Sequence, residues 1–177
     1  MSEIWDIVDQ YGNKTGRLHQ RGNPMNKGDY HLSVSVWIIN GADQILISQR
    51  APTQLVATNM WEITGGSAIT GENSLSAALR ETKEELGIDL HPENGRLFKC
   101  YTYPHSSGDG AAYIEVWVFH QDVDISTVVL QPCETCNAIW ANKEQIMQMI
   151  VDGKFINFSY IDDLFEHVKN YVLYKMA

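Results

Sequence analysis

The segment Asn73–Gly87, "NSLSAALRETKEELG", constrains this chain more than any other. Asn73 suits a helix N-cap and Gly87 stands where helices stop, so a helix is expected over Asn73–Leu86. With Arg80 at zero and about 100° per residue, Glu84 falls near ~40°, Glu81 near ~100° and Glu85 near ~140°. Leu75, Ala78, Leu79, Thr82 and Leu86 fall on the opposite side, from about 160° to about 260°. One face must pack while the other gathers acid. That acid is poorly placed for a bare helix. Glu81 and Glu85 are like charges at i,i+4, and Glu84 and Glu85 oppose the dipole of the last turn, each at a cost of roughly a few tenths of a kcal/mol. Two accounts fit the helix taken alone. One is a solvated face with ion pairs such as Arg80–Glu84; the other is a divalent cation that cancels the clustered charge.

The packing face needs a partner, and the rest of the chain supplies strands. "EIWDIVD" alternates as a strand and "YGN" reads as a turn after it. Residues from His19 to Tyr30 carry Gly, Pro and Asn and read as a loop. "HLSVSVWIIN", "NGAD" and "QILISQRA" read as strand, hairpin turn and return strand. Pro52 to Thr70 reads as a loop with short extended pieces. "RLFKCYTY" and "AAYIEVWVFHQ" are expected strands, joined by a flexible "PHSSGDG", and "CNAIWA" is a short strand. Asn142, with Gln145 three residues on, opens a helix that ends near Gly153, and "YIDDLFEHVKNYVLYKM" is an amphipathic helix. This order predicts an α/β fold, a mixed sheet flanked by helices on both faces. Neither a repeat nor a Pro/Ser-rich linker divides the chain, so one domain over residues 1–177 is expected.

Charge and composition narrow the partners. A formal net charge of -9, without a run of Lys or Arg, disfavours polymeric nucleic acid. No apolar stretch reaches the length of a membrane span, and the N-terminus lacks the pattern of a signal peptide. Three cysteines, an odd number, suit a reducing compartment, so a cytoplasmic location is expected. Cys133 and Cys136 form a CxxC, but no second CxxC completes a zinc site, and coincidence is the better account.

The residues upstream decide between the two accounts of the helix. Gly66 is followed by Glu72 six positions on, then by Arg80, Glu81, Glu84, Glu85, Gly87 and Ile88. The stretch "GSAITGENSLSAALRETKEELGI", residues 66–88, resembles the Nudix box, G-x5-E-x7-R-E-U-x-E-E-x-G-U with U a bulky aliphatic residue. Every fixed Gly, Glu and Arg matches. The departure is Thr82, where the family has an aliphatic residue. "GDYHLSVSVWIIN", "ILISQRAP", "MWEITGG" and "AIWANKEQI" are also similar to Nudix segments, and the early ones to the branch near isopentenyl diphosphate isomerase.

The resemblance implies a Nudix α/β/α sandwich and Mg²⁺- or Mn²⁺-dependent hydrolysis of a phosphoanhydride bond in a small-molecule diphosphate. It implies Glu81, Glu84 and Glu85 as metal ligands, with the Gly66 carbonyl as a further candidate. Glu84, Glu85, Arg80 and Glu134 are the candidate catalytic residues, Glu134 because an extra carboxylate often precedes the late strand of the family. Glu72 would pair with Arg80 to orient helix and loop, Gly66 and Gly71 would allow a tight loop, and Gly87 the helix stop. Arg50 is a candidate phosphate contact, and Tyr103 or Tyr113 could stack on a base. A homodimer, common in the family, is compatible with the resemblance. Two alternatives stand beside hydrolysis. An isomerase needs a catalytic Cys just before the box, where Gly65 stands, and a histidine-rich metal site of which His31 alone is in view. A non-catalytic nucleotide-binding module has no need of the full acid cluster.

Overall fold

The computed structural model describes residues 3–104 and 111–175, with side chains through Val168. Strands β1 (Ile4–Val8), β2 (Lys14–Gln20), β3 (Tyr30–Ile39), β4 (Ile45–Arg50), β5 (Trp61–Glu62) and β6 (Thr64–Ser67) precede helix α1 (Ser74–Leu86). Strands β7 (Gly95–Pro104), β8 (Ala111–His120) and β9 (Thr135–Ala141) follow, then helices α2 (Lys143–Val151) and α3 (Ile161–Lys175). Most of the loop expected between β7 and β8 lies outside the described residues, as does the end of the last helix.

β3 organises the sheet. One edge pairs in parallel with β8 over its whole length, Tyr30↔Ala111 to Ile39↔His120. The other edge is shared in turn by β1 at Tyr30 and His31, β6 from Ser33 to Val36, and β4 at Ile39. The sheet therefore splays into two arms, β2–β1 and β5–β4–β9, with β6 between them. The alternation of β3 assigns its faces. Leu32, Val34, Val36 and Ile38 pack toward α1 with Ala77, Ala78 and Leu86, whereas Trp37 and Ile39 pack toward α2 and α3 with Ile146, Leu164 and Phe165. Helices thus cover both faces, as in an α/β/α sandwich. Ser33 and Ser35 share the Trp37 face by the two-residue period. Two serines where the pattern asks for apolar bulk leave a polar notch in that face.

Helix α1 sits as its two faces require. The Asn73 side chain accepts from the Ser76 N–H and Ser76 Oγ accepts from the Asn73 N–H, a reciprocal cap. Gly87 closes the helix with φ 70°, its N–H donating to Lys83 O. Leu86 is buried, and a leucine removed from water contributes about 2 kcal/mol. Thr82, the departure from the family pattern, is 0 % exposed, and its hydroxyl donates to Ala78 O at 2.8 Å. The back-bond lets a polar residue occupy a packing position.

Strand β2 is not expected from sequence, in which only the turn at "YGN" and the loop from His19 to Tyr30 are legible. Nearly all its residues are exposed, so they show no hydrophobic alternation. What holds it is the turn, where Asp9 accepts from the Tyr11 and Asn13 N–H groups, and its ladder with β1. The β1–β2 hairpin is fastened to the loop before α1 at three points. Thr70 N–H donates to Ile4 O at 2.8 Å, Gly71 N–H to Asp6 at 3.0 Å, and Lys14 Nζ to Glu72 O at 3.0 Å.

Candidate active site

Short-range chemistry sets the acid cluster. Arg80 donates to both carboxylate oxygens of Glu72, at 2.8 and 3.0 Å, and to Ser67 O at 2.9 Å. This fork ties the helix to β6 and to the intervening loop. Glu72 also accepts from Ile69 N–H. Burial works to raise the Glu72 pKa, but the Arg80 fork and the amide outweigh it and hold the carboxyl below its ordinary range. The remaining guanidinium nitrogen of Arg80, Nη1, donates to Glu81 and Glu84, each at 2.9 Å.

Glu81 lies directly over Gly66. A Cβ on Gly66 would meet the Glu81 carboxylate at 2.3–2.6 Å, so a side chain here would push that carboxylate out of its place. Room for a carboxylate, rather than a turn, is what this position demands: Gly66 lies in a strand, and it is Gly71 that takes the left-handed φ of 91°. The Gly66 carbonyl accepts from Ser33 Oγ at 2.8 Å. Glu85 points inward and accepts from the Thr64 hydroxyl. Burial, and beyond it the charges of Glu81, Glu62 and Glu134, push its pKa up to about 8 against the Thr64 bond. Glu81 is also raised, by burial first, with Arg80 opposing and Glu84 and Glu3 adding.

The far wall comes from the end of the same helix. Helix C-termini leave carbonyls unpaired. Here Val129 N–H donates to Leu86 O and Gln131 N–H to Glu85 O, at 2.9 and 3.0 Å. The chain after Gln131 is then clamped by Ala51 N–H onto Glu134 O at 2.8 Å. Capping α1 thus delivers Gln131 and Glu134 to the acid cluster. Arg50, at the end of β4, donates to Glu62, Gln54 and Val56 O.

These residues line a cavity of ≈ 300 Å³ that also receives Glu3 and Arg21 from the hairpin. A second cavity of ≈ 350 Å³ shares Arg50, Glu62, Gly65, Gly66 and Glu85 and continues to Ser33, Ser35 and Phe158, the notch left by the two serines. The sequence-predicted residues Glu81, Glu84, Glu85, Arg80, Gly66, Arg50 and Glu134 therefore share one cavity. Tyr103 is exposed, two residues beyond Tyr101, which packs against Tyr160 on the α3 side. Tyr113 packs on the α1 side, where a Cβ on Gly12 would meet its ring at 2.5 Å, and neither Tyr103 nor Tyr113 is among the residues lining the two cavities. Glu3, Arg21, Glu62 and Gln131 were not anticipated. Only Glu62, directly before "ITGG", carried a local hint, being a carboxylate three residues before a conspicuous glycine pair.

The donors fit a hard divalent cation: clustered carboxylate oxygens, the backbone carbonyl of Gly66, and carboxyls of Glu81 and Glu85 whose pKa is raised first by burial. Among the described residues no three His, Cys, Asp or Glu side chains already converge as a cage; Glu81 and Glu84 turn to Arg80. His31 is buried and stacks on Trp5 at 4.2 Å, a packing position. Cys100, Cys133 and Cys136 are exposed and unbridged.

Comparison with known proteins agrees with this geometry. The family model of the NUDIX domain matches residues 29–163. An uncharacterised Nudix hydrolase of Listeria innocua is 33% identical over 165 residues, covering 93% of this chain and 94% of its own. An isopentenyl-diphosphate Delta-isomerase of Citrobacter koseri is 22% identical over 145 residues, covering 81% and 80%. The crystal structure of a Deinococcus radiodurans protein superposes with TM-score 0.68 at 22% identity, covering 95% and 98%. A bifunctional NMN adenylyltransferase/ADP ribose pyrophosphatase of Francisella tularensis, complexed with AMP and Mn ion, gives TM-score 0.63 at 24% identity, over 78% of this chain and 42% of that one.

Proposed function

Because the chain belongs to the Nudix hydrolase family, whose members act on pyrophosphate bonds, we propose that it hydrolyses a phosphoanhydride bond with Mg²⁺ or Mn²⁺. The substrate is a nucleoside di- or triphosphate, or a nucleoside diphosphate linked to another moiety. One observation carries the reading: Glu81, Glu84 and Glu85 face Glu134 and Arg50 across a single cavity. Glu81, Glu84, Glu85 and the Gly66 carbonyl would hold the cation. Once bound, it supplies charge screening of the phosphates and a lowered pKa for the attacking water. Arg80 and Glu72 hold the helix and loop in register, so that the carboxylates stay on the cavity wall. Glu134, delivered from the opposite wall, is the carboxylate we assign to accept the water proton. Arg50 supports a phosphate from beside it. The second cavity, within the usual volume range of small-molecule sites, would receive the attached moiety, with Phe158 as an apolar surface and Ser33 and Ser35 as hydrogen-bonding groups.

Isomerase chemistry meets an obstacle in this backbone. A Cβ at Gly65 would lie 2.3 Å from Val34 O, so the position has no room for a thiol. A binding-only module would leave the full carboxylate set without a use. The test is a phosphate-release screen over nucleotides and nucleotide sugars, with Mg²⁺ and with Mn²⁺, comparing wild type with Glu84→Gln. Metal-dependent turnover lost in Glu84→Gln is expected. Absence of turnover on every diphosphate would sink the hydrolase reading.

A further inference from the structure

Six carboxylates line the first cavity: Glu3, Glu62, Glu81, Glu84, Glu85 and Glu134. Three guanidiniums face them, those of Arg21, Arg50 and Arg80. The formal balance is -3, and one divalent cation would leave it at -1. A polyanionic substrate entering such a cavity needs a cationic contact beyond the cation itself, and the three arginines are not equally able to give one.

Arg80 is 23% exposed and holds Glu72, Glu81, Glu84 and Ser67 O. Arg50 is 24% exposed and holds Glu62, Gln54 and Val56 O. Turning Arg80 toward a ligand would undo the packing that shapes the site, and Arg50 can meet a phosphate only from where these bonds hold it, beside the cation site. Arg21 is 59% exposed, and its ion pair is with Glu3, itself 41% exposed. Exposed pairs of this kind contribute little, so exchanging Glu3 for a phosphate oxygen costs little. The exchange also gains, because guanidinium–phosphate bonds are charge-assisted and match in geometry. The base of Arg21 is firm. Its guanidinium lies 5.8 Å over Trp5, whose buried ring stacks on His31 and His19. Arg21 N–H donates to Glu3 O, and the hairpin before it is fastened to the loop preceding α1. The hairpin lies outside residues 29–163, the part matched by the family model, so its contribution belongs to the N-terminal segment of this chain.

We infer that Arg21 is a substrate-binding residue, which leaves Glu3 to hold a phosphate oxygen of the bound diphosphate, with Glu3 as a built-in competitor. The inference rests on the hydrolase reading, and a binding measurement separates the two. Affinity for imidodiphosphate, a diphosphate that resists hydrolysis, is measured by calorimetry with Mg²⁺ at about 0.5 M salt, where charges more than a few Å apart are screened. Arg21→Ala is expected to weaken Kd about tenfold, the scale of one charge-assisted contact. Arg21→Lys, which keeps the charge and loses the fork, should fall between. Glu3→Gln should tighten binding several-fold by removing the carboxylate that competes with phosphate for Arg21. A role confined to holding the hairpin together would weaken binding in both Arg21→Ala and Glu3→Gln, and that result overturns the inference. So does a Kd within twofold of wild type in Arg21→Ala, or the absence of imidodiphosphate binding by wild type. If wild type binds imidodiphosphate but turns over no diphosphate, the hydrolase reading fails while the Arg21 contact is still read.

Discussion

Helix α1 has acid at both of its neighbourhoods, and the two are physically different. One is the cavity over Gly66. The other is a shallow polar depression past Gly87, lined by Asp89, Asp122, Asp124 and Gln121. In the depression the carboxylates are satisfied where they stand. Asp122 accepts from Gly41 N–H, Asp89 pairs with Lys83, and Asp124 accepts from the amide and hydroxyl of Ser126. Those two bonds hold the Asp124 pKa below its ordinary value. In the cavity the shifts of Glu81, Glu85 and Glu62 run the other way, raised chiefly by burial. Counting acidic residues would not distinguish the regions. Burial does, because only buried carboxylates crowd charge at a cost that a cation can relieve.

Breaking that contrast begins with the metal ligands. Glu84→Gln should reduce metal-dependent turnover by more than about a hundredfold, above the range for residues that only orient ligands, while Asp89→Asn should leave it within about twofold of wild type. Steady-state phosphate release checks both. Glu72→Gln removes the partner of the Arg80 fork and should cost about ten- to a hundredfold in activity or Mg²⁺ affinity. Equal loss in Asp122→Asn would erase the distinction between the two regions.

The pH response sharpens it further. For Glu85 the folded-state pKa, about 8, lies above its ordinary value of 4.5. The folded state binds the proton more tightly, so stability is fullest below 4.5 and falls as pH rises through 8. Without divalent cation, urea midpoints should drop across this window, by on the order of a few kcal/mol. Glu85→Gln should flatten the drop, and Mg²⁺ should oppose it in wild type. Asp124 has the opposite sign: its contribution is present above its ordinary value of 3.8 and is lost as pH falls through the lowered one. The smallest effect belongs to Thr82→Val. It removes a buried hydroxyl and leaves the Ala78 carbonyl in its helix, so thermal stability should move by about 1 kcal/mol or less and turnover should hold.

How much of this was legible in the chain follows the reach of each interaction. The two faces of α1, its caps at Asn73 and Gly87 and the Arg80–Glu84 pair are settled within four residues, and periodicity exposes them. The spacing from Gly66 to Ile88 was legible because it is one uninterrupted stretch. β2 was not, because its residues bury no face and so carry no pattern. Tyr103 and Tyr113 look alike in sequence, yet β7 and β8 turn them to opposite faces of the sheet, and a strand's facing is set only by the layer it packs against.

The amino-acid sequence by itself determined an amphipathic helix with a carboxylate face, the alternation of β3 and the chemistry that hard oxygen donors can support. The tertiary structure decided which distant side chains join that face. Glu134 arrives because the end of α1 needs its carbonyls capped; Glu62 and Arg50 arrive through the arm made by β4 and β5; Glu3 and Arg21 arrive because the hairpin hydrogen-bonds to the loop before α1. Hydrogen bonds between segments far apart in the chain leave no periodic trace in either one, so this convergence is visible only once the sheet has closed around the helix.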